Sequence, residues 1–127
     1  MSQSTLEHVN VTVSDPEKTA NRLCLLFDWS IRWKGAAKFG GTTVHVGSDD
    51  SYLAVFSMGK PKPLDEETYA TRGGLNHIGV VVDDLDTVEK RVIDAGYKPH
   101  SHADYEPGRR FYFHDDDGIE FEVVSYA

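Results

Sequence analysis

The sequence predicts an α+β fold made of two tandem βαβββ modules. Three observations carry this reading. The order of strand, capped helix and three short strands occurs twice; a histidine opens each copy, His8 and His77; and a helix-starting acid follows each, Asp15 and Asp84, both pairs at an offset of 69. Element order, turn residues and a histidine aligning together mark an internal duplication. Module one is expected over residues 6–58, a linker over 59–74 and module two over 75–126, within a chain of 127 residues read as a single domain.

In module one, residues 6–13 alternate strictly, with Val9, Val11 and Val13 on one strand face and His8, Asn10 and Thr12 on the other. Asp15 is then placed to cap a helix with Pro16 at its first position, and Ala20, Leu23, Cys24 and Phe27 recur at helical spacing. Cys24 is thereby read as a structural thiol. Strands are expected near 29–35, 42–48 and 52–57, separated by Gly40-Gly41 and Asp49-Asp50-Ser51. The linker holds Pro61, Pro63 and the acids 65–67, and Gly73-Gly74 opens the second copy. There Ile78, Val80 and Val82 share a face, Asp84-Leu85 starts a helix with Leu85, Val88, Val92 and Ala95 on one side, and Gly96 ends it. Strands are expected near 97–102, 109–114 and 119–126, and Asp49-Asp50 matches Asp116-Asp117 at an offset of 67.

Composition excludes several classes. With 13 basic and 21 acidic residues the net charge is −8, which opposes the phosphate attraction on which nucleic-acid binders rely. Most of the excess lies in residues 75–127, with 5 basic and 12 acidic side chains, mainly at helix starts and turns. No apolar run approaches the roughly 18 residues of a membrane-spanning helix, and the N-terminus carries no secretory pattern. One cysteine permits no internal disulfide, which suits a reducing cytoplasm.

Strand period sorts the polar residues. If the valines of each opening strand pack on the helix, His8 and His77 face the opposite, concave side. In the closing strand Phe121 and Val123 leave Glu120 and Glu122 on that side; in the strand before it, Phe111 and Phe113 alternate with Arg110, Tyr112 and His114; and Val44 and Val46 alternate with Thr43 and His45. Two histidines and a carboxylate, His8, His77 and Glu122, are a ligand set for a divalent transition metal that leaves coordination positions open. Arg110, in phase with Tyr112 and preceded by the turn-like Glu106-Pro107-Gly108, could meet an anionic substrate or sit on an exposed strand edge. His100 and His102 fall in a polar segment and read as solvated. Trp29, Trp33 and Tyr97 read as core or dimer contacts.

These residues resemble the vicinal oxygen chelate superfamily, the glyoxalase, bleomycin-resistance and extradiol dioxygenase group, over nearly the whole chain. Leu6-Glu7-His8-Val9 and Gly74-Leu75-Asn76-His77-Ile78 look like its two module-opening strands, and residues 110–122 like its closing hairpin. The resemblance implies an open, barrel-like cavity around a metal held by His8, His77 and Glu122, and a homodimer. Glyoxalase-type members add a fourth ligand at the position that Val55, or Ala54 one residue away, occupies here. The remaining triad is similar to that of extradiol dioxygenases, which favours Fe(II), with Mn, Ni or Zn as alternatives. Tyr112, Asp115, Gly118 and Glu122 match the dioxygenase signature, whereas Asp116 replaces its proline and the family's acid/base histidine has no direct counterpart.

The expectation is a cytoplasmic, metal-dependent enzyme chelating vicinal oxygens of a small organic substrate, with oxygenase chemistry ahead of glyoxalase-like lyase or isomerase chemistry. Tyr112 would donate a hydrogen bond to substrate and His45 would act as acid or base. A metal-free module that sequesters a drug-like molecule is the alternative from a different class.

Overall fold

The computed structural model describes residues 2–106 and 108–127; Pro107, read above as part of a turn, lies outside them. The chain forms two compact units that divide between Lys62 and Pro63. Unit one runs β1 (His8–Thr12), α1 (Pro16–Phe27), β2 (Ser30–Ala36), β3 (Thr42–Gly47) and β4 (Tyr52–Ser57), and unit two runs β5 (Ile78–Val81), α2 (Leu85–Asp94), β6 (His100–Tyr105), β7 (Gly108–His114) and β8 (Glu120–Ser125). Each is a βαβββ unit with an open four-stranded sheet, ordered β1-β4-β3-β2 in the first and β5-β8-β7-β6 in the second. In both, the opening strand pairs in parallel with the closing one and the other pairings are antiparallel.

Both helices start where the sequence places them. Asp15 accepts a hydrogen bond from the Lys18 amide and Asp84 from the Thr87 amide, each satisfying a donor that the first helical turn leaves unpaired. The first helix packs on β2, β3 and β4, and the second on β7 and β8. Beneath α1 lie Val44, Val46, Leu53 and Val55, and the core of unit two holds Phe111, Phe113, Phe121 and Val123. The rings of Phe113 and Phe121 stack at 5.2 Å between centroids. Burying side chains of this size contributes about 1.5–3 kcal/mol each. No helix among the described residues is long and apolar enough to cross a membrane.

Strand β6 departs from expectation, beginning at His100 rather than near residue 97. Residues 96 and 97 are used to finish α2: Gly96 takes φ +96°, its amide donates to Ile93 and that of Tyr97 to Val92. Such a left-handed glycine stop consumes the residues that periodicity had given to the strand.

The β7–β8 turn sets the register of the closing hairpin. Asp115 Oδ1 accepts from the amides of Asp117 and Ile119, both at 2.9 Å, and Gly118 supplies φ +80°. Burial pushes the Asp115 carboxyl above its ordinary range, against the lowering effect of the two amides. A carboxyl whose folded pKa is raised loses its stabilising contribution as pH rises through that value, so its charge is a cost at neutral pH. Asp115→Asn, which keeps the Oδ1 acceptor and removes the charge, should raise the melting temperature at neutral pH. That gain should fade on acidification through the folded pKa. Asp115→Ala strands two amides and should cost about 1–3 kcal/mol, as read by denaturant unfolding.

Candidate functional site

The polar face of unit two is built by β8 and its two neighbours. Glu122 lies opposite Tyr112 on β7, and its Oε2 accepts a 2.8 Å hydrogen bond from Arg110 in a pair whose side chains are each 14% exposed. The other carboxylate oxygen, Oε1, lies 3.2 Å from His77 Nε2. Tyr112 sets its ring edge-on to His77, with centroids 5.6 Å apart. Burial, followed by the charge of Glu122 and a hydrogen bond to it, pushes the Tyr112 hydroxyl above its ordinary pKa, so it remains a donor at neutral pH.

The far nitrogen of His77 is held as well. Tyr69 Oη donates to Glu120 Oε1 at 2.5 Å and lies 3.2 Å from His77 Nδ1. A phenol has one proton, and with that proton on the Glu120 bond the contact to Nδ1 requires Nδ1–H to donate. In the neutral ring Nε2 is then the lone-pair nitrogen, and it faces a carboxylate oxygen. A proton on Nε2 or a metal ion between the two atoms would satisfy this pair, and fixing the distal ring nitrogen is how proteins orient histidine ligands. The residues of this unit therefore fit a metal.

Tyr69 comes from the segment read as a linker, and nothing in the composition of residues 59–74 singles it out. A short 3-10 turn, Thr68–Ala70, presents it, capped where Glu67 accepts from the Tyr69 amide. Gly74 packs so closely on the Thr68 carbonyl that a Cβ there would collide with it, which explains the Gly73-Gly74 pair more directly than a module boundary does.

Unit one has a parallel arrangement. His8 Nδ1 is 2.8 Å from Glu7 Oε1, an oxygen that also accepts from Tyr52 Oη at 3.3 Å, so Nε2 of His8 is likewise left for a ligand. The Tyr52 ring stacks on both His8 and His45, at 4.8 and 4.5 Å. Trp33, read as a core or dimer residue, is half exposed and lies 5.1 Å from the His45 ring. An irregularity in β2 between Ile31 and Trp33 lets Arg32 join this face, its guanidinium 4.7 Å from the Tyr52 ring centre. Burial foremost, then the neighbouring charges of His8 and Arg32, lowers the His45 pKa, so its ring is neutral and able to accept a proton at pH 7.

Register also settles the fourth family position. His45 pairs with Ala54, and Tyr112 with Glu122, so the second hairpin is one residue longer and Ala54, not Val55, is the counterpart of Glu122. Val55 is fully buried on the helix side. Neither residue offers a donor atom. Cys24 is partly buried, and burial raises its thiol pKa, consistent with an unreactive core position.

Two βαβββ units, each with an open four-stranded sheet, define a glyoxalase-type fold. The model of the Glyoxalase/Bleomycin resistance protein/Dioxygenase superfamily matches residues 5–123, and the chain belongs to that superfamily. A glyoxylase/bleomycin resistance protein/dioxygenase domain from Frankia sp. EAN1pec is 24% identical, with a TM-score of 0.81 and 98% of each chain covered. The fosfomycin resistance protein FosX from Listeria monocytogenes, complexed with Mn(II) and sulfate, is 22% identical, with a TM-score of 0.74 over 98% of this chain and 93% of that one. FosX from Mesorhizobium loti is 25% identical, with a TM-score of 0.70 and the same coverage. No curated protein matches the chain in sequence.

The Tyr69 link makes a tautomer prediction. Hydrogen bonding to Glu120 raises the Tyr69 pKa to about 12, so the phenol keeps its proton across the neutral range. Imidazole nitrogen-15 shifts of the metal-free protein should report His77 as the Nδ1–H tautomer when the ring is neutral. Tyr69→Phe should allow both tautomers to populate.

Proposed function

We propose that the chain is a metal-dependent enzyme that chelates two adjacent oxygens of a small organic substrate, with His8, His77 and Glu122 as the protein ligands. The observation that carries this reading is the His77 Nε2 to Glu122 Oε1 approach of 3.2 Å with His77 Nδ1 already committed. His8, His77 and Glu122 would hold a divalent ion, which when bound would supply Lewis-acid polarisation of the substrate oxygens. Ala54 at the fourth position adds no donor, which leaves coordination sites for a bidentate substrate. Arg110 fixes one oxygen of Glu122, and its remaining donors suit an anionic substrate group. Tyr112, protonated at neutral pH, donates to a substrate oxygen, and neutral His45 takes up a proton released from substrate. The reading takes the two units as one functional domain of a cytoplasmic homodimer.

Within that class, extradiol-type oxygenase chemistry with Fe(II) rests on the triad and on Tyr112 preceding Glu122 in the closing hairpin. A second reading, chemistry without dioxygen and with Mn(II), as in a lyase or isomerase, is favoured by the FosX neighbour complexed with that ion. Metal-free sequestration of a small molecule is the outcome that the experiment must exclude.

The purified chain should contain divalent metal by elemental analysis, and His77→Ala should lower that content by one equivalent with little loss of folded structure. Tyr69→Phe should weaken metal affinity about 10–100-fold, the usual effect of removing a hydrogen-bond partner of a ligand. Loaded with Fe(II), the enzyme should consume dioxygen with a catechol; turnover of a non-aromatic vicinal-oxygen substrate with Mn(II) and no dioxygen uptake would select the second reading. Metal content unchanged by His77→Ala would defeat the ligand assignment.

A further inference from the structure

A second group of donors lies on the polar face of unit two, outside the ligand set proposed above. His100 Nε2 is 3.2 Å from His114 Nδ1, and His114 Nε2 is 3.5 Å from Glu120 Oε2. One donor atom from each of the three residues lies within 4.8 Å of the others. The two imidazoles stack at 5.0 Å, with their planes 15° from parallel. We propose that His100, His114 and Glu120 form a second binding site, for a divalent transition-metal ion of the zinc or nickel class.

The backbone supplies an independent argument. In a regular strand His100 and His102 would share a face, because side chains alternate with a period of two. Here β6 is irregular between His100 and Ala103, and Ser101 takes φ +55°, a left-handed conformation uncommon for a residue with a side chain. The irregularity separates the two histidines. His102 pairs with Glu89 of α2 at 2.6 Å and stacks on Phe111, whereas His100 faces His114 and Tyr112 on the other side of the sheet. A bulge of this kind re-aims a side chain, and local backbone strain gathers at functional positions.

The donor chemistry fits. His100 Nδ1 is 2.9 Å from Ser101 Oγ, which leaves Nε2 as the ligand atom. Glu120 uses Oε1 for Tyr69 and presents Oε2 to His114, so the carboxylate can serve both neighbourhoods. Two imidazole nitrogens and one carboxylate oxygen suit zinc or nickel at about 2.0–2.2 Å, with water completing the shell. Tetrahedral ligands at those bond lengths lie roughly 3.3 Å apart, so separations that are all within 4.8 Å have to close by at most roughly 1.5 Å, a distance that side-chain rotation can supply. His114 is 50% exposed and has room for it. The proposed site shares no ligand with His8, His77 and Glu122 and does not depend on that set.

The test is calorimetric titration of zinc into the chelator-treated full chain, with imidazole resonances followed in parallel. Wild type should bind two equivalents and shift the His100 and His114 signals. His100→Ala and His114→Ala should each abolish one equivalent or weaken it at least about tenfold, while His102→Ala on the opposite face should leave both. His77→Ala should remove the other equivalent only; if the ligand set proposed under the function reading is absent, a single equivalent lost in His100→Ala and kept in His77→Ala still supports this site. Unchanged zinc binding in both His100→Ala and His114→Ala would overturn it and reduce the group to a hydrogen-bonded chain. Zinc uptake by wild type without movement of the His100 and His114 resonances would overturn it as well, whichever variants fold.

Discussion

The parallel pairing of each opening strand with its closing strand is the constraint on which the rest depends. In unit two, Ile78 lies opposite Phe121 and Gly79 opposite Glu122. That register directs Phe121 and Val123 into the core and turns Glu120 and Glu122 toward the side that carries His77. A slip of one residue would bury both carboxylates among phenylalanines and expose the core ring, a change that no ligand chemistry could offset. Stability and site geometry are therefore fixed by the same hydrogen-bond ladder. The Asp115 turn matters to function for that reason, although it touches none of the candidate ligands.

The duplication preserves the scaffold and divides the chemistry. Where unit two has Glu120 and Glu122, the equivalent positions of unit one are Tyr52 and Ala54. Unit one recovers an acid for its histidine from the neighbouring residue, Glu7, and lays Tyr52 across His8 and His45. Its polar face is thus aromatic and carries a neutral imidazole beside Trp33 and Arg32, while the face of unit two carries carboxylates bridged by histidines and a phenol. Both histidines that open the modules end with Nδ1 engaged, by different means. The orientation of the ring is what the two halves have in common, and the groups that enforce it are not.

Sequence periodicity was enough to read the βαβββ order, both helix starts and the polar phase of His8, His45, His77, Arg110, Tyr112 and Glu122, because each depends on alternation or capping within a few residues. What it missed depends on departures from alternation. His100 and His102 read as one solvated pair until the irregularity at Ser101 sends them to opposite faces. A constant offset of 67 matched Glu122 to Val55 because it could not see that the second hairpin is one residue longer. Tyr69 had no local signal at all: its role arises from a one-turn helix in a polar connector that folds back onto β8. Bulges, turn lengths and connector folding are set by tertiary packing, and there the pattern carries least information.

Arg110 shows how the same reading can find a residue and understate its task. An arginine facing inward beside a candidate ligand suggests an anion receptor, yet its guanidinium is first committed to Glu122 Oε2, and that hydrogen bond is the main cause of its raised pKa. The bond occupies one carboxylate oxygen and leaves the other facing His77. If Glu122 serves as the proposed ligand, this bond would disfavour its turning both oxygens to one ion and would leave a coordination position for substrate. The Nε–H of Arg110 is buried without a hydrogen-bond partner among the described residues. A buried donor of that kind costs stability unless something meets it, and it stands beside the one carboxylate that the metal reading requires. The arginine is thus better understood as the residue that holds one oxygen of Glu122 in place, with any substrate contact left to its remaining donors.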